Sequence, residues 1–243
     1  MSKNACLDRI LIAQSILDAL GSEAYLEIGV NTGVSFIPIK AKRKWGVDPS
    51  YTLTARRLIK YAVFSFLRIK VERLFRMTSD EFFVKNEKLL TSYGIDVCLV
   101  DGLHTYEQAL KDVLNVLKYL KPKGVILIHD CNPTTELMAR PVARIEDLIR
   151  QSSPQWDGAW SGDVWKTLVH LRSLRDDVDA FVLDCDTGIG IVTKRRPKGH
   201  LSCSESDIRA MDYSFLSNNR QALLGLQPSE YFKEFLHSHI MSR

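Results

Sequence analysis

The segment YLEIGVNTGVS at residues 25–35 constrains the fold more than any other part of the chain. A short apolar run surrounds Glu27, and two glycines, Gly29 and Gly33, then flank a small polar loop before an apolar-periodic segment. Glycine allows sharp backbone turns and a close ligand approach, because it has no Cβ. The pattern predicts a strand, a tight loop and a helix, which together form the first βα unit of a doubly wound sheet.

The spacing of this segment predicts what the loop binds. Dinucleotide-binding loops follow G-x-G-x-x-G, with the diphosphate at a helix N-terminus. This loop follows E-x-G-x-x-x-G instead, and the Glu27 carboxylate would repel a diphosphate. It resembles the first motif of class I S-adenosylmethionine-dependent methyltransferases, although a plain tight turn would look similar. The resemblance implies that Glu27, Gly29, Asn31, Thr32 and Gly33 form part of the cofactor site.

Composition sets limits on partners and compartment. A chain of 243 residues suits one α/β domain, and a net charge of +4 does not favour a nucleic-acid partner. The five cysteines form no C-x-x-C pair, which predicts a reducing, cytoplasmic location without disulfides or zinc. We find no signal-peptide pattern and no apolar run near the ~20 residues of a membrane span.

Periodicity and turn residues predict a seven-stranded, mostly parallel, Rossmann-like sheet with helices on both faces and a C-terminal antiparallel hairpin. The predicted strands cover residues 25–28, 45–49, 73–77, 95–101, 125–128, 179–184 and 190–193. The predicted helices cover residues 5–20, a short segment after Gly33 interrupted by Pro38, then 52–68, 106–120, 134–153, 164–174, 206–216 and 228–239. Residues 121–124 are predicted to end the helix before them. We expect residues 1–200 to form the main domain and 201–243 a C-terminal helical extension, which either covers the site or forms a homodimer contact.

Polar residues follow the end of nearly every predicted parallel strand. They are Glu27, Asp48, Ser79, Asp80, Asp101, His104, His129 and Asp130. In an open parallel sheet, ligands bind beyond the carboxyl ends of the strands, so these side chains should converge. Asp48 follows Glu27 by 21 residues, the spacing at which a carboxylate accepts hydrogen bonds from ribose hydroxyls, although it could simply cap the next turn.

Two further motifs narrow the resemblance. Residues 101–107 read DGLHTYE, and His129-Asp130 follows the predicted fifth strand. Both resemble a branch of class I methyltransferases that includes O-methyltransferases of sugars and other small hydroxylated molecules. The resemblance implies that Ser79 and Asp80 contact the adenine edge, that Asp101 also belongs to the cofactor site, and that Asp101 and Asp130 bind a divalent metal. Cys131 stands where a second adjacent carboxylate or amide is usual, which departs from the metal-dependent pattern, and Asn132 after it is a further candidate oxygen ligand.

The chemistry can be argued from the residue types. Methyl transfer to a hydroxyl requires alignment of donor and acceptor and removal of the hydroxyl proton. His104 is the first candidate for the general base and His129 the second, with Asp130 beside them; either histidine could instead satisfy only backbone groups. Carboxylates favour a hard cation such as Mg²⁺ over Zn²⁺ at this position.

Three of the four tryptophans fall within residues 155–166. Aromatic loops over a site often bind substrate, so Trp160, Asp163, Trp165 and Lys166 are predicted to contact a small-molecule or saccharide acceptor. Asp163 could also cap the helix that follows it. The alternative is that the indoles pack as a local core.

The sequence therefore favours an S-adenosylmethionine-dependent methyltransferase. A nicotinamide-dependent oxidoreductase would require the G-x-G-x-x-G loop, which this chain lacks. A non-catalytic adenosyl-binding module would not require His104, His129, Asp101 and Asp130 to converge.

Overall fold

The computed structural model describes residues 7–21, 23–53, 71–142, 149 and 158–241. A single sheet with the strand order β3-β2-β1-β4-β5-β7-β6-β8 forms the centre of the fold. Its strands are β1 (Ala24–Ile28), β2 (Arg43–Val47), β3 (Val71–Phe75), β4 (Ile95–Val100), β5 (Leu120–Ile128), β6 (Asp179–Asp184), β7 (Ile189–Thr193) and β8 (Gln227–Pro228). Strands β1 to β5 are parallel, and β7 runs antiparallel to β5 and β6. The predicted fold class is confirmed, with the two-residue edge strand β8 in addition.

Helices cover both faces of the sheet. They are α1 (Arg9–Leu20), α2 (Ser79–Lys85), α3 (Glu87–Tyr93), α4 (Tyr106–Tyr119), α5 (Trp165–Leu174), α6 (Glu205–Ala210), α7 (Tyr213–Leu224) and α8 (Tyr231–Phe235), followed by a π-helical segment, Leu236–Met241. Alternate residues of β4 enter two separate apolar cores, Cys98 with α4 and α5, and Val97 with α1 and α8. Burial on both faces is the reason that residues 97–100 of β4 are continuously apolar, whereas Asp96 near its start accepts hydrogen bonds from Ala24 N and Lys121 Nζ. No helix in the described part of the chain is long and apolar enough to cross a membrane.

The helix predicted after Gly33 does not form. Residues 34–38 make turns, with a hydrogen bond from Ile37 N to the carbonyl of Gly33. Pro38 has no N–H and its ring prevents a continuous helix. The fully buried Lys44 on β2 donates to the carbonyls of Phe36 and Ile39 at 3.1 and 3.0 Å, so a lysine satisfies backbone groups that a helix would have paired.

Other boundaries also differ from the predictions. The helix ends before residues 121–124, as predicted, but the fifth strand begins at Leu120 and not at residue 125, because Leu120 already pairs with Ile95. The predicted helix 206–216 is divided between α6 and α7, because Asp212 caps α7 by accepting from Phe215 N. Residues 134–142 are turns and extended chain, not helix. The remainder of that predicted helix, the helix predicted at 52–68 from residue 54 onward, and residues 155–157 lie outside the described residues.

Candidate functional site

A cavity of about 930 Å³ lies beyond the carboxyl ends of the parallel strands. The predicted site residues that line it are Gly29, Asn31, Thr32, Asp48, Ser79, Asp80, Asp101, His104, His129, Asp130 and Trp160. Glu27 and Gly33 are not among the lining residues. The cavity volume is in the range of pockets that bind small molecules and cofactors.

Gly29 allows the ends of β1 and β4 to meet at the floor of the cavity. Its φ is 91°, and a Cβ there would lie only 1.9 Å from the carbonyl oxygen of Asp101. No other residue type fits without moving the backbone of β4. The glycine of the loop motif therefore brings Asp101 into the site as well as shaping the turn.

Glu27 lies beneath the loop. It is fully buried, and its two carboxylate oxygens accept hydrogen bonds from Tyr25 Oη at 2.6 Å and Ser35 Oγ at 2.8 Å. Burial disfavours the charged form and raises the pKa of Glu27 to about 7, although both hydrogen bonds oppose this. Glu27 thus holds Ser35, a residue of the cavity wall, from below.

Asp48 holds the same loop from the side. Its Oδ2 accepts from Asn31 N and its Oδ1 from Ser50 N, each at 2.7 Å. Asn31 has a φ of 45°, a left-handed conformation that asparagine tolerates better than most residues. Each carboxylate oxygen has more than one lone pair, so Asp48 can also accept from a ligand in the cavity.

Three side chains converge at the β4–β5 end of the cavity. Nδ1 of His104 is 2.8 Å from the carbonyl oxygen of Trp160, so Nδ1 carries the proton. Nε2 lies 3.5 Å from Asp101 Oδ1 and 3.4 Å from Asp130 Oδ2. Burial alone would lower the pKa of His104, but the two carboxylates outweigh it and raise the pKa. Single donor atoms of Asp101, His104 and Asp130 all lie within 4.8 Å of one another.

Asp130 has one oxygen fixed and the other directed at the histidines. Oδ1 accepts from Ser161 Oγ at 3.0 Å and from Thr187 Oγ1 at 2.8 Å. The residue has a φ of 62°, an uncommon conformation for a non-glycine residue. The fixed orientation leaves Oδ2 facing His104 and His129.

Arg9 of α1 enters the same cluster, and no pattern in the sequence indicated it. Its Nη1 lies 2.5 Å from His129 Nε2 and 3.1 Å from Asp186 Oδ2. His129 Nδ1 is 2.9 Å from Asp130 Oδ2. Burial lowers the pKa of His129, and its hydrogen bonds to Asp101, Asp130 and Asp186 raise it overall. A guanidinium can only donate, so Arg9 opposes the protonation that the carboxylates favour.

The tryptophan-rich segment is divided between two cavities. Trp160 lines the large one, and its ring centroid is 4.9 Å from that of His104. Asp163, Trp165 and Lys166 instead line a smaller cavity of about 200 Å³. Trp165 is only 1% exposed and packs in the apolar core.

Asp163 does not cap α5, which corrects the sequence prediction. Its Oδ1 accepts from Tyr106 N at 2.8 Å and so caps α4. Lys166 Nζ donates to the carbonyl of Arg209 at 3.0 Å. These bonds link α4, α5 and α6 beside the large cavity.

The β3 end of the cavity is formed by α2 and α4. Thr78 caps α2 in a capping box with Glu81, which positions Ser79 and Asp80 at the cavity. Asp80 Oδ2 pairs with Lys111 at 2.5 Å. Two further residues of α4, Gln108 and Asp112, line this end, and no pattern in the sequence indicated them.

Asn132 is directed away from the carboxylates, contrary to its suggested role as a metal ligand. Its Nδ2 donates to Asp184 Oδ1 at 3.0 Å, and its Oδ1 accepts from Arg220. His104, which was predicted to be a base, takes the third position beside Asp101 and Asp130.

Residues 26–131 match a protein family described as a methyltransferase domain. The fold is similar to that of an O-methyltransferase from Bacillus cereus in complex with SAH, with a TM-score of 0.52, 14% identity, and coverage of 78% of this chain and 82% of that one. It is also similar to the cofactor-bound protein Rv0187 from MTB, with a TM-score of 0.50, 13% identity, and coverage of 81% and 84%. At these identities the likeness shows the fold alone. No curated protein is significantly similar to the chain.

Proposed function

We propose that the chain, whose residues 26–131 match a methyltransferase-domain family, is a class I S-adenosylmethionine-dependent methyltransferase that methylates a hydroxyl oxygen of a small molecule or saccharide. The observation that carries the proposal is the convergence of His104, Asp101 and Asp130 at one end of the large cavity. A transferase that acts on a hydroxyl needs a group that removes or weakens the hydroxyl proton at the point of transfer.

The methyl donor is proposed to lie along the carboxyl ends of β4, β1, β2 and β3. The loop containing Gly29, Asn31, Thr32 and Gly33 would contact its amino-acid part, with Glu27 supporting the loop from below. Asp48 would accept hydrogen bonds from the ribose, and Asp101 would attract the cationic end of the ligand. Ser79 and Asp80 would border the base.

The residues at the β4–β5 end can carry out the proton transfer. Nε2 of His104 would take the proton of the acceptor hydroxyl while the oxygen attacks the methyl carbon in line with the departing sulfur. The carboxylates of Asp101 and Asp130 would stabilise the imidazolium that forms. His129 Nδ1 lies 2.9 Å from the same Asp130 oxygen, Oδ2, and His129 is the second candidate for the base.

The same three residues also fit a divalent cation. Ligands about 2.1 Å from an ion and at right angles lie about 3 Å apart, close to the 3.4 and 3.5 Å between Nε2 of His104 and the two carboxylates. The second oxygen of Asp130 accepts hydrogen bonds from Ser161 and Thr187. Such bonds fix the orientation of a carboxylate, as is usual for carboxylates that bind a metal. A cation bound there would supply acidification of a bound hydroxyl.

Trp160 is the proposed contact for the acceptor, because its ring lies beside His104 in the same cavity. Acceptor contacts by Asp163, Trp165 and Lys166 stay a prediction, since these residues line the smaller cavity. The Bacillus cereus neighbour is an O-methyltransferase, which agrees with a hydroxyl acceptor.

Domain organisation and cellular location are proposed on separate grounds. Residues 201–243 are proposed to extend the domain of residues 1–200, and the burial of Leu216, Leu223 and Leu224 in its core supports this. We propose a reducing, cytoplasmic location without a nucleic-acid partner, which the free thiols in the described residues and the net charge of +4 support. A homodimer contact through the C-terminal helices stays a prediction.

Calorimetry and a transfer assay test the proposal. The chain should bind S-adenosylhomocysteine and not NAD. Labelled S-adenosylmethionine should then transfer its methyl group to members of a panel of phenols, catechols and saccharides, with and without EDTA. Tighter binding of NAD would overturn the cofactor, and methylation of amines alone would overturn the hydroxyl acceptor.

A further inference from the structure

Asp112 is a carboxylate of α4 that lines the large cavity although it is only 1% exposed. Gln108 Nε2, one helical turn earlier, donates to Asp112 Oδ1 at 3.0 Å. The same amide lies 3.2 Å from Ser79 Oγ on α2. Ser79, Gln108 and Asp112 therefore form one hydrogen-bonded group that joins α2 to α4 at the β3 end of the cavity.

This carboxylate is buried without a cationic partner. Within the described residues its hydrogen bonds come from Ser79 and Gln108, both neutral, while the nearby Lys111 is paired with Asp80. Burial raises the pKa of Asp112 to about 6, so the charge is retained at neutral pH at an energetic cost. A ligand that supplies an N–H donor would offset that cost.

The cavity follows the carboxyl ends of the strands from β3 to β5, and two of its parts are already assigned. The β4–β5 end holds His104, Asp101 and Asp130, where the reacting groups must meet. Asp48, at the end of β2, is placed for the ribose. A nucleoside that spans these two positions has only the end between α2 and α4 left for its base, and Asp112 lies there.

We infer that the carboxylate of Asp112 accepts a hydrogen bond from the 6-amino group of the adenine ring, with Ser79 and Gln108 holding that carboxylate in position. The inference rests on the proposed cofactor. It assigns the recognition of the base to Asp112, which is 1% exposed, and not to Asp80, whose side chain is 42% exposed and whose Oδ2 is already paired with Lys111. An exposed, paired carboxylate discriminates less between ligands than a buried one. Asp80 Oδ1 is buried without a hydrogen-bond partner among the described residues, so Asp80 is the competing acceptor that the experiment must separate from Asp112.

The comparison of two ligands that differ at one position tests the inference. S-inosylhomocysteine has an oxygen acceptor where S-adenosylhomocysteine has the 6-amino donor. A buried carboxylate accepts from the amino group and repels the oxygen, so the wild type should prefer the adenosyl compound by roughly 30-fold or more in calorimetry. Equal affinities for the two compounds would overturn the inference without any variant.

The variant Asp112→Asn then identifies the residue responsible. The amide keeps an oxygen for Gln108 and gains an N–H that can donate to the inosyl oxygen, so the preference should fall to within about 3-fold. Glu107→Gln is the matched control, because it removes a carboxylate from the exposed side of the same helix, and it should keep the wild-type ratio. An unchanged ratio in Asp112→Asn, or a loss of preference in Asp80→Asn instead, would overturn the inference. Failure of the wild type to bind either compound would instead overturn the proposed function.

Discussion

His104 donates its Nδ1–H to the carbonyl oxygen of Trp160, 2.8 Å away. This single bond fixes the ring so that Nε2 faces the carboxylates of Asp101 and Asp130. A nitrogen lone pair directed at two negative charges is favourable only when a cation lies between them. That cation is either the proton that Nε2 has taken from a hydroxyl or a metal ion that weakens the hydroxyl proton, and His104 acts as the base only in its neutral form.

Replacement of His104 should separate turnover from cofactor binding. We expect His104→Gln to lower methyl transfer by about 100-fold or more, the usual contribution of a general base, with the affinity for S-adenosylhomocysteine changed less than about 3-fold. Turnover and calorimetry on the same preparation provide the measurement. His170→Gln is the control, since His170 contacts Tyr106 Oη and does not line the cavity. Wild-type turnover in His104→Gln would remove this residue from the mechanism.

Divalent cations should stabilise the wild type through Asp130. A ligand at 100 times its Kd adds about 2.7 kcal/mol to the free energy of unfolding, which is readily seen as a rise in Tm. We expect Mg²⁺ or Mn²⁺ to raise Tm in the wild type and in Asp184→Asn, whose side chain lies with Asn132 and outside the cluster. Asp130→Asn should lose most of the rise, because a charged ligand is removed. An equal rise in Asp130→Asn would place the cation elsewhere.

Gly29 and Gly158 allow a matched test of close approach. Both have positive φ, 91° and 85°, but only Gly29 would bring a Cβ against the backbone of Asp101, whereas a Cβ at Gly158 meets nothing within 4 Å. Gly158→Ala should cost about 1 kcal/mol for its φ, and Gly29→Ala a further ~1–3 kcal/mol for the overlap. Urea unfolding of the two variants measures the difference. Similar losses of unfolding free energy in the two variants would mean that the backbone of Asp101 can move to accommodate the added Cβ.

The buried Glu27 should make stability depend on pH. Its pKa is raised from 4.5 to about 7, so folding favours its protonated form. The stabilisation is complete below pH about 4.5 and is lost as the pH rises through about 7, by up to about 3 kcal/mol.

Glu27→Gln cannot titrate and should lack this loss. The free energy of unfolding of the wild type relative to Glu27→Gln should therefore be lower at pH about 8.5 than at pH about 5. If the free energies of unfolding of the two proteins changed with pH in parallel, the raised pKa of Glu27 would be contradicted.

The sequence determined the sheet and eleven of the 24 described residues that line its cavity, including most of its charged groups. From residue 97 onward β4 is apolar on both faces, and such strands in a parallel sheet share one carboxyl edge, so Asp48, Asp101 and Asp130 had to approach one another. Local patterns were sufficient for this, because each polar residue directly follows its own strand.

Contacts between residues far apart in the chain were decided only by the tertiary structure. Arg9 reaches the site because α1 lies near the turn that holds Asp186, and Asp163 caps α4 and not its own helix. Whether Glu27 faces the cavity or lies beneath it depends on how Tyr25 and Ser35 pack around it. The periodicity of apolar residues does not predict these side-chain contacts. They arise from the packing of helices and turns onto the sheet and not from the conformation of any one segment.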